Sequence, residues 1–123
     1  MRKEQYQVPQ TEFVYRIGGE FVTKTSAELF DGKRVVIFSL PGAYTPTCSA
    51  YQLPGFEQQY EEFAQLGIDA IYCISVNDGF VMNAWAKDQG IEKVKLIPDG
   101  NAHFTRSMGY LVRKSNLGFG ERS

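Results

Sequence analysis

One short stretch of the chain combines residue types that could carry out thiol chemistry. Residues 39–49 read SLPGAYTPTCS, directly after an apolar, largely β-branched run at residues 34–38. Apolar residues at helical spacing follow Cys48, so the pattern predicts that a short turn delivers this cysteine to the start of a helix. Unpartnered backbone N–H groups and the helix dipole favour an anion there, which biases Cys48 toward the nucleophilic thiolate.

The composition is that of an ordinary globular chain. Its 123 residues suffice for one domain with a single hydrophobic core, and 43% are hydrophobic and 22% charged. The net charge of −1 indicates neither nucleic acid nor a membrane surface as a partner. The polar first residues and the lack of a long apolar stretch predict neither a signal peptide nor a membrane span. Two cysteines predict reduced thiols in a cytoplasmic setting.

The hydrophobic pattern predicts strands that alternate with helices. Residues 12–16 and 20–23 are predicted to form a hairpin. Buried strands are expected at residues 35–40, 70–76 and 95–97, and the first should be central because its apolar run has no polar alternation. This alternation favours an α/β domain with parallel neighbouring strands.

Two helices are expected to present one apolar face each to the sheet. The first follows Cys48, is ended by Gly67 and should be kinked by Pro54. Asn77 and Asp78 are predicted to cap the second. The inward residues are Leu53, Phe56, Tyr60, Phe63 and Leu66 in the first helix, and Val81, Met82, Trp85 and Ala86 in the second.

The candidate site also carries a family resemblance. Pro41, Thr45 and Cys48 form Pro-x-x-x-Thr-x-x-Cys, which resembles the peroxidatic signature of the peroxiredoxins. Together with LPGF at residues 53–56 and SVND at residues 75–78, the longer string is similar to the type II, peroxiredoxin-5-like branch. The likeness is greatest to the peroxiredoxin half of bacterial peroxiredoxin–glutaredoxin hybrids. It implies an α/β, thioredoxin-like fold and a thiol peroxidase acting on hydrogen peroxide and small organic hydroperoxides.

The resemblance assigns a role to each matching residue. Cys48 would attack the peroxide and become a sulfenic acid, while the Thr45 hydroxyl would reach both sulfur and peroxide. Pro41 would shape the turn and shield the thiolate from water. Gly42 and the backbone N–H groups of Thr47 and Cys48 would contact the substrate. Non-catalytic readings remain for three residues: a buried small hydrophobe for Cys48, a helix N-cap for Thr45 and a plain turn residue for Pro41.

The remaining polar residues predict an external reductant and no cofactor. Cys73 lies in the middle of a predicted strand and is expected to be buried and structural. Because no other cysteine could resolve the sulfenic acid, the resemblance implies glutathione or glutaredoxin as the reductant, and it implies homodimers as well. One exposed histidine, His103, and two separated cysteines form no zinc-like set, so no metal is predicted. Tyr44, Tyr51, Phe56 and Phe80 could form an aromatic collar, a dimer surface or ordinary core.

The chain departs from the family pattern at its end. The resemblance implies one thioredoxin-like domain over residues 1–123, incomplete at the C-terminus, because family members continue past residues 117–123 with further strands, a helix and a second arginine. In the resemblance, Arg122 aligns with the earlier, non-catalytic arginine of that segment, and whether it substitutes for the second arginine is open. The alternatives to a peroxidase are a redox sensor that oxidises once and stalls, or an inactive fragment. The hypothesis of a thiol–disulfide oxidoreductase has weak support, because residues 49–51 supply no second thiol close to Cys48.

Overall fold

The computed structural model describes residues 8–46 and 51–123, and a hairpin and a short helix come first. Strands β1 (Glu12–Ile17) and β2 (Glu20–Thr25) pair antiparallel, as predicted. The turn between them has Gly18 and Gly19 at φ values of +59° and +80°, a geometry that side-chain-bearing residues resist. Helix α1 (Ser26–Phe30) follows at once, held by a capping box between Thr25 and Glu28.

A three-stranded parallel sheet carries the candidate site. Strands β3 (Val35–Ser39), β4 (Ala70–Ser75) and β5 (Lys95–Pro98) confirm the three predicted strands and lie in the order β3-β4-β5. Within the described residues β4 is central and β3 pairs on one side only, so the prediction that β3 is central is wrong for this sheet. The apolar run of β3 reflects cover on both faces rather than two neighbouring strands: Ile37 packs into one core cluster and Val36 into the other.

The hydrophobic core consists of two layers, one on each face of the sheet. Alternate residues of β4 supply both, with Tyr72 and Ile74 on one face and Ile71 and Cys73 on the other. The first layer is completed by Phe13, Leu29, Phe30, Ala70, Ile97 and Phe104, and the second by Leu40, Leu53, Met82, Trp85 and Val94. Complete burial of β4 makes the sheet a rigid base for the loops at its ends.

Helices cover the sheet, and a short tail closes the chain. The helices are α2 (Leu53–Gln58), α3 (Tyr60–Gln65), α4 (Gly79–Gln89) and α5 (His103–Ser107). The tail contains strands β6 (Val112–Arg113) and β7 (Glu121–Arg122), which pair antiparallel around a 3-10 turn at Ser115–Leu117. None of the helices described here has the length and apolar character needed to cross a bilayer.

The helix after Cys48 is irregular at two places and departs from prediction at a third. A π-helical turn at residues 51–52 directly precedes α2, and Pro54 stands in the first turn of α2, so this irregularity lies next to the proline at which a kink is predicted. A second irregularity lies at Gln59, between α2 and α3. Leu66 is 74% exposed, not inward, because it caps the end of α3 and no longer follows the helical phase. Gly67 ends the segment with φ +88°, as predicted.

One carboxylate fastens α2 to the loop before β5. The side chain of Glu57 accepts the backbone N–H groups of Glu92 at 3.1 Å, Lys93 at 3.1 Å and Val94 at 2.8 Å. Burial by itself would raise the pKa of Glu57, but hydrogen bonds from these three amides outweigh it, and the pKa lies below its usual 4.5. The ionised carboxylate is therefore the form that joins α2 to the loop before β5.

We expect Glu57→Gln to destabilise the fold in a pH-dependent way. A lowered folded-state pKa stabilises the protein above the unfolded-state pKa, and this contribution is lost as the pH falls through the folded-state value. Because the carboxylate is partly solvated, the loss at pH 7 should be about 1 kcal/mol. Urea unfolding of the wild type and the variant at pH 7 and near pH 3 measures it: the difference should shrink at the lower pH. Glu62→Gln, an exposed carboxylate on α3, is the control, and equal losses in both variants would contradict the assignment.

Candidate functional site

The candidate site lies at the carboxyl edge of the parallel sheet. The loop of residues 41–46 leaves β3 at this edge, and Asn77 follows the end of the neighbouring strand β4. Asn77 Oδ1 accepts the backbone N–H of Ala43 at 3.0 Å and the Ser75 hydroxyl at 2.6 Å. Asn77 thus positions the loop, and only Asp78 caps α4, by accepting the N–H of Val81 at 2.9 Å. The predicted capping role of Asn77 is therefore wrong, because its side chain is engaged by the loop and by Ser75.

The Thr45 hydroxyl folds back onto its own loop. Thr45 Oγ1 donates to the Gly42 carbonyl at 2.7 Å, and the Thr45 N–H approaches the same oxygen at 3.4 Å. With its proton committed to the carbonyl, Oγ1 keeps its lone pairs for an incoming O–H donor. The hydroxyl is thereby prepared to accept a hydrogen bond from a small hydroxylic molecule.

An arginine from the tail lies against this loop. Arg122 Nε donates to the Phe119 carbonyl at 2.9 Å, and Arg122 Nη1 donates to the Val76 carbonyl at 3.3 Å. A β-carbon on Gly42 would come within 2.7 Å of Nη1, so a side chain at this position would displace the guanidinium from its present place. The Ser123 hydroxyl also donates to the Leu40 carbonyl at 3.0 Å. The tail therefore holds a permanent positive charge beside the loop that leads to Cys48.

A groove of about 470 Å³ opens beside the loop. It has the size of a small-molecule site and a mostly apolar wall with one ammonium group. The residues that line it are Pro41, Thr45, Pro46, Gln52, Lys114, Leu117 and Phe119. Because both the loop and the tail contribute, the groove joins segments that are far apart in the sequence.

The structure brings together three of the five predicted site residues. Pro41 and Thr45 line the groove, and Gly42 lies between Thr45 and the tail. Thr47 and Cys48 lie outside the described residues, so their predicted roles stay predictions.

The second cysteine and the single histidine are not among the described residues that line the groove. Cys73 is completely buried in β4, as expected for a structural thiol. His103 is exposed, as predicted. The described residues contain no cluster of side chains suited to holding a metal ion.

The four predicted aromatic residues do not line the groove. Phe56 stacks on Phe38 with ring centroids 4.0 Å apart and belongs to the core. Phe80 meets Phe21 edge-on at 5.9 Å, on another surface. Tyr44 and Tyr51 are exposed.

The tail side of the groove is formed by residues for which the sequence predicted no role, Lys114, Leu117 and Phe119. Leu117 and Phe119 stand in a glycine-punctuated tail with no hydrophobic period, and Lys114 is one of several scattered cations. The only signal available was the isolated Leu-Gly-Phe at residues 117–119 in a polar segment. An exposed apolar pair in such a segment is compatible with a binding surface, but it does not say where that surface lies.

Comparison with known proteins identifies the class of protein that this sheet and loop define. A family model described as Redoxin matches residues 6–122, and the chain belongs to this family. Within it the chain is a peroxiredoxin: it is 57% identical to a peroxiredoxin from Rhizobium etli over 95% of this chain and 70% of that protein. The type II resemblance agrees with a 53% identity to the hybrid peroxiredoxin hyPrx5 of Haemophilus influenzae, over 94% of this chain.

Solved structures confirm the thioredoxin-like peroxiredoxin fold. A crystal structure of reduced Prx3 from Vibrio vulnificus in complex with H₂O₂ superposes with a TM-score of 0.92. The two chains are 36% identical, and the match covers 100% of this chain and 77% of the other. The chain spans 48% of the Haemophilus hybrid protein, about half its length.

Proposed function

We propose that this chain is a thiol-dependent peroxidase whose nucleophile is Cys48. The observation that carries the proposal is the Thr45 hydroxyl, which donates to the Gly42 carbonyl at 2.7 Å and so offers its oxygen to a peroxide O–H. The membership in the peroxiredoxins and the likeness to a protein bound to H₂O₂ support the same substrate class. Hydrogen peroxide and small organic hydroperoxides are the proposed substrates.

The first step is a displacement at oxygen. The Cys48 thiolate attacks the terminal peroxide oxygen, an S–O bond forms and the O–O bond breaks. The leaving oxygen takes a proton and departs as water or alcohol, so the sulfur loses two electrons and becomes a sulfenic acid. Thr45 would orient the peroxide, and Pro41 would keep water from the thiolate.

The electrostatic surroundings support the thiolate form. The Arg122 guanidinium lies beside Gly42, in the loop that leads to Cys48, and a nearby cation favours a thiolate over a thiol. The start of the predicted helix adds backbone N–H groups of Thr47 and Cys48 as donors to the peroxide oxygen.

The second step needs an external thiol. We propose that glutathione or a glutaredoxin condenses with the sulfenic acid to give a mixed disulfide and water, and that a second thiol then releases Cys48. Cys73 is buried in β4 and is not proposed to take part. The groove beside Pro41 is large enough for a small thiol and supports this entry route. We also propose that residues 1–123 belong to one domain, that the protein forms a homodimer and that it is located in the cytoplasm.

The test is stoichiometric oxidation of the reduced chain. About one equivalent of hydrogen peroxide is added, and intact mass with site mapping follows the product. Rapid gain of one oxygen at Cys48 with Cys73 unmodified is the expected result. Slow or equal oxidation of both cysteines would refute the peroxidase. Continued turnover with glutathione and glutaredoxin separates a peroxidase from a sensor, because a sensor would oxidise once and stall.

A further inference from the structure

The candidate loop is joined to helix α4 by one side-chain hydrogen bond. The Tyr44 hydroxyl donates to Asp88 Oδ2 at 2.6 Å, a length typical of hydroxyl donors on ionised carboxylates. This hydrogen bond raises the pKa of Tyr44 above its usual 10.0, because loss of the phenolic proton would place two anions in contact. Tyr44 therefore remains the donor at neutral pH.

The backbone at Tyr44 supports a positioning role. Tyr44 has φ +65°, a left-handed conformation that crowds the β-carbon of any residue other than glycine. Such conformations persist where surrounding contacts hold them. On one side, the Ala43 N–H is held by Asn77 at 3.0 Å, and on the other, Thr45 Oγ1 meets the Gly42 carbonyl at 2.7 Å. The bond to Asp88 is the contact that holds the side chain of the strained residue itself.

We propose that Tyr44 and Asp88 are positioning residues that keep the loop of residues 41–46 in its peroxide-reactive conformation. The consequence for the reaction rests on the proposed function, while the conformational part does not. Both side chains are exposed, so the pair has little packing to contribute to global stability. Its effect should therefore appear in the order of the loop and in the oxidation rate of Cys48.

Loss of the bond should lower the fraction of molecules with a competent loop. Without it, Tyr44 is free to relax to negative φ, which redirects the chain between Ala43 and Thr45. The observed rate is then the intrinsic rate multiplied by the fraction that remains competent, and we expect a decrease of about 3- to 10-fold. The Thr45 N–H would lose its approach to the Gly42 carbonyl in the same change.

The test compares four variants of the full chain by single-turnover oxidation. Tyr44→Phe removes the donor, Asp88→Ala removes the acceptor and the double variant removes both. Asp88→Asn keeps an acceptor oxygen without the charge. Rapid mixing with excess hydrogen peroxide, followed by acid quench and mass analysis, gives the rate of oxygen gain at Cys48. Glu62→Ala, which also removes one exposed carboxylate, is the matched control.

The expected pattern is coupling between the two residues. Each single variant should be about 3- to 10-fold slower, and the double variant should be no slower than the slower single one. Asp88→Asn should recover part of the rate, and melting temperatures should stay close to that of the wild type. Wild-type rates in both single variants, or effects that multiply in the double variant, would overturn the proposal.

Amide hydrogen exchange over residues 42–46 separates this proposal from the peroxidase itself. If wild-type Cys48 is not oxidised preferentially, the proposed function fails, and the exchange decides the pair alone. Faster exchange at Thr45 in Tyr44→Phe than in the wild type then supports the positioning role. Unchanged exchange overturns it.

Discussion

Replacing Cys48 by serine is expected to abolish peroxide turnover completely. A serine hydroxyl stays protonated at neutral pH, and the motif places no base beside it. The predicted helix start, in contrast, favours the thiolate form of Cys48. The sulfur also supplies the two electrons that reduce the peroxide, and an oxygen in its place cannot do so. Peroxide consumption in the presence of glutathione and glutaredoxin measures the loss.

Cys73→Ala provides the matched control for this experiment. Cys73 is fully buried between Ile71 and the helices, so alanine should reduce the free energy of unfolding by about 1 kcal/mol through lost packing. Turnover should stay near the wild-type rate. Residual turnover in Cys48→Ser that disappears on removal of Cys73 as well would show that the assignment of the nucleophile is wrong.

Thr45→Val is expected to slow oxidation of Cys48 by hydrogen peroxide about 100-fold. Valine has nearly the shape of threonine, but it removes both the donor to the Gly42 carbonyl and the oxygen that would accept the peroxide O–H. The second-order rate constant of oxidation measures the effect. Alkylation of the same thiol by iodoacetamide should slow far less, because that reagent has no O–H to be oriented.

Thr45→Ser is the control, since it keeps the hydroxyl and loses only the methyl group. It should retain most of the oxidation rate. Equal slowing of peroxide oxidation and alkylation in Thr45→Val would assign Thr45 to the ionisation or exposure of the thiol instead of to the peroxide. A wild-type rate in the same variant would leave only the helix N-cap reading of this residue.

Local sequence patterns predicted most of the elements correctly. The hairpin, the three parallel strands and the helix end at Gly67 follow from period and turn residues, which act over a few residues. The position of β3 beside β4, at one side of the described sheet, was not predictable in this way. An apolar run reports that both faces of a strand are covered, but it does not report how many strands pair with it.

The helix after Cys48 shows what local patterns report and what they miss. The kink predicted at Pro54 lies next to a π-helical turn at residues 51–52, so the proline marked a real irregularity. Leu66 continued the apolar spacing, although the helix had already ended before it. Propensity and spacing are therefore informative about the existence of an element and less so about its first and last turns.

The candidate site shows the same division between local and distant information. The sequence pointed to Pro41, Gly42 and Thr45 because they lie within five successive positions of one motif, but the hydrogen bond from the Thr45 hydroxyl to the Gly42 carbonyl was not predicted. Asn77 contacts Ala43 across 34 residues, and Arg122 contacts Val76 across 46. No periodicity in the chain relates such positions to one another.

By itself, the sequence determined the family, the turn that leads to Cys48 and the burial of Cys73, because each depends on neighbouring residues or on an apolar period. Only the tertiary structure decided which residues surround that turn. The order of the strands brings Asn77 to Ala43, and the path of the tail brings Phe119 and Arg122 to the loop. Side chains on a folded surface meet according to where the backbone travels in space, and that path is set by the packing of the whole core.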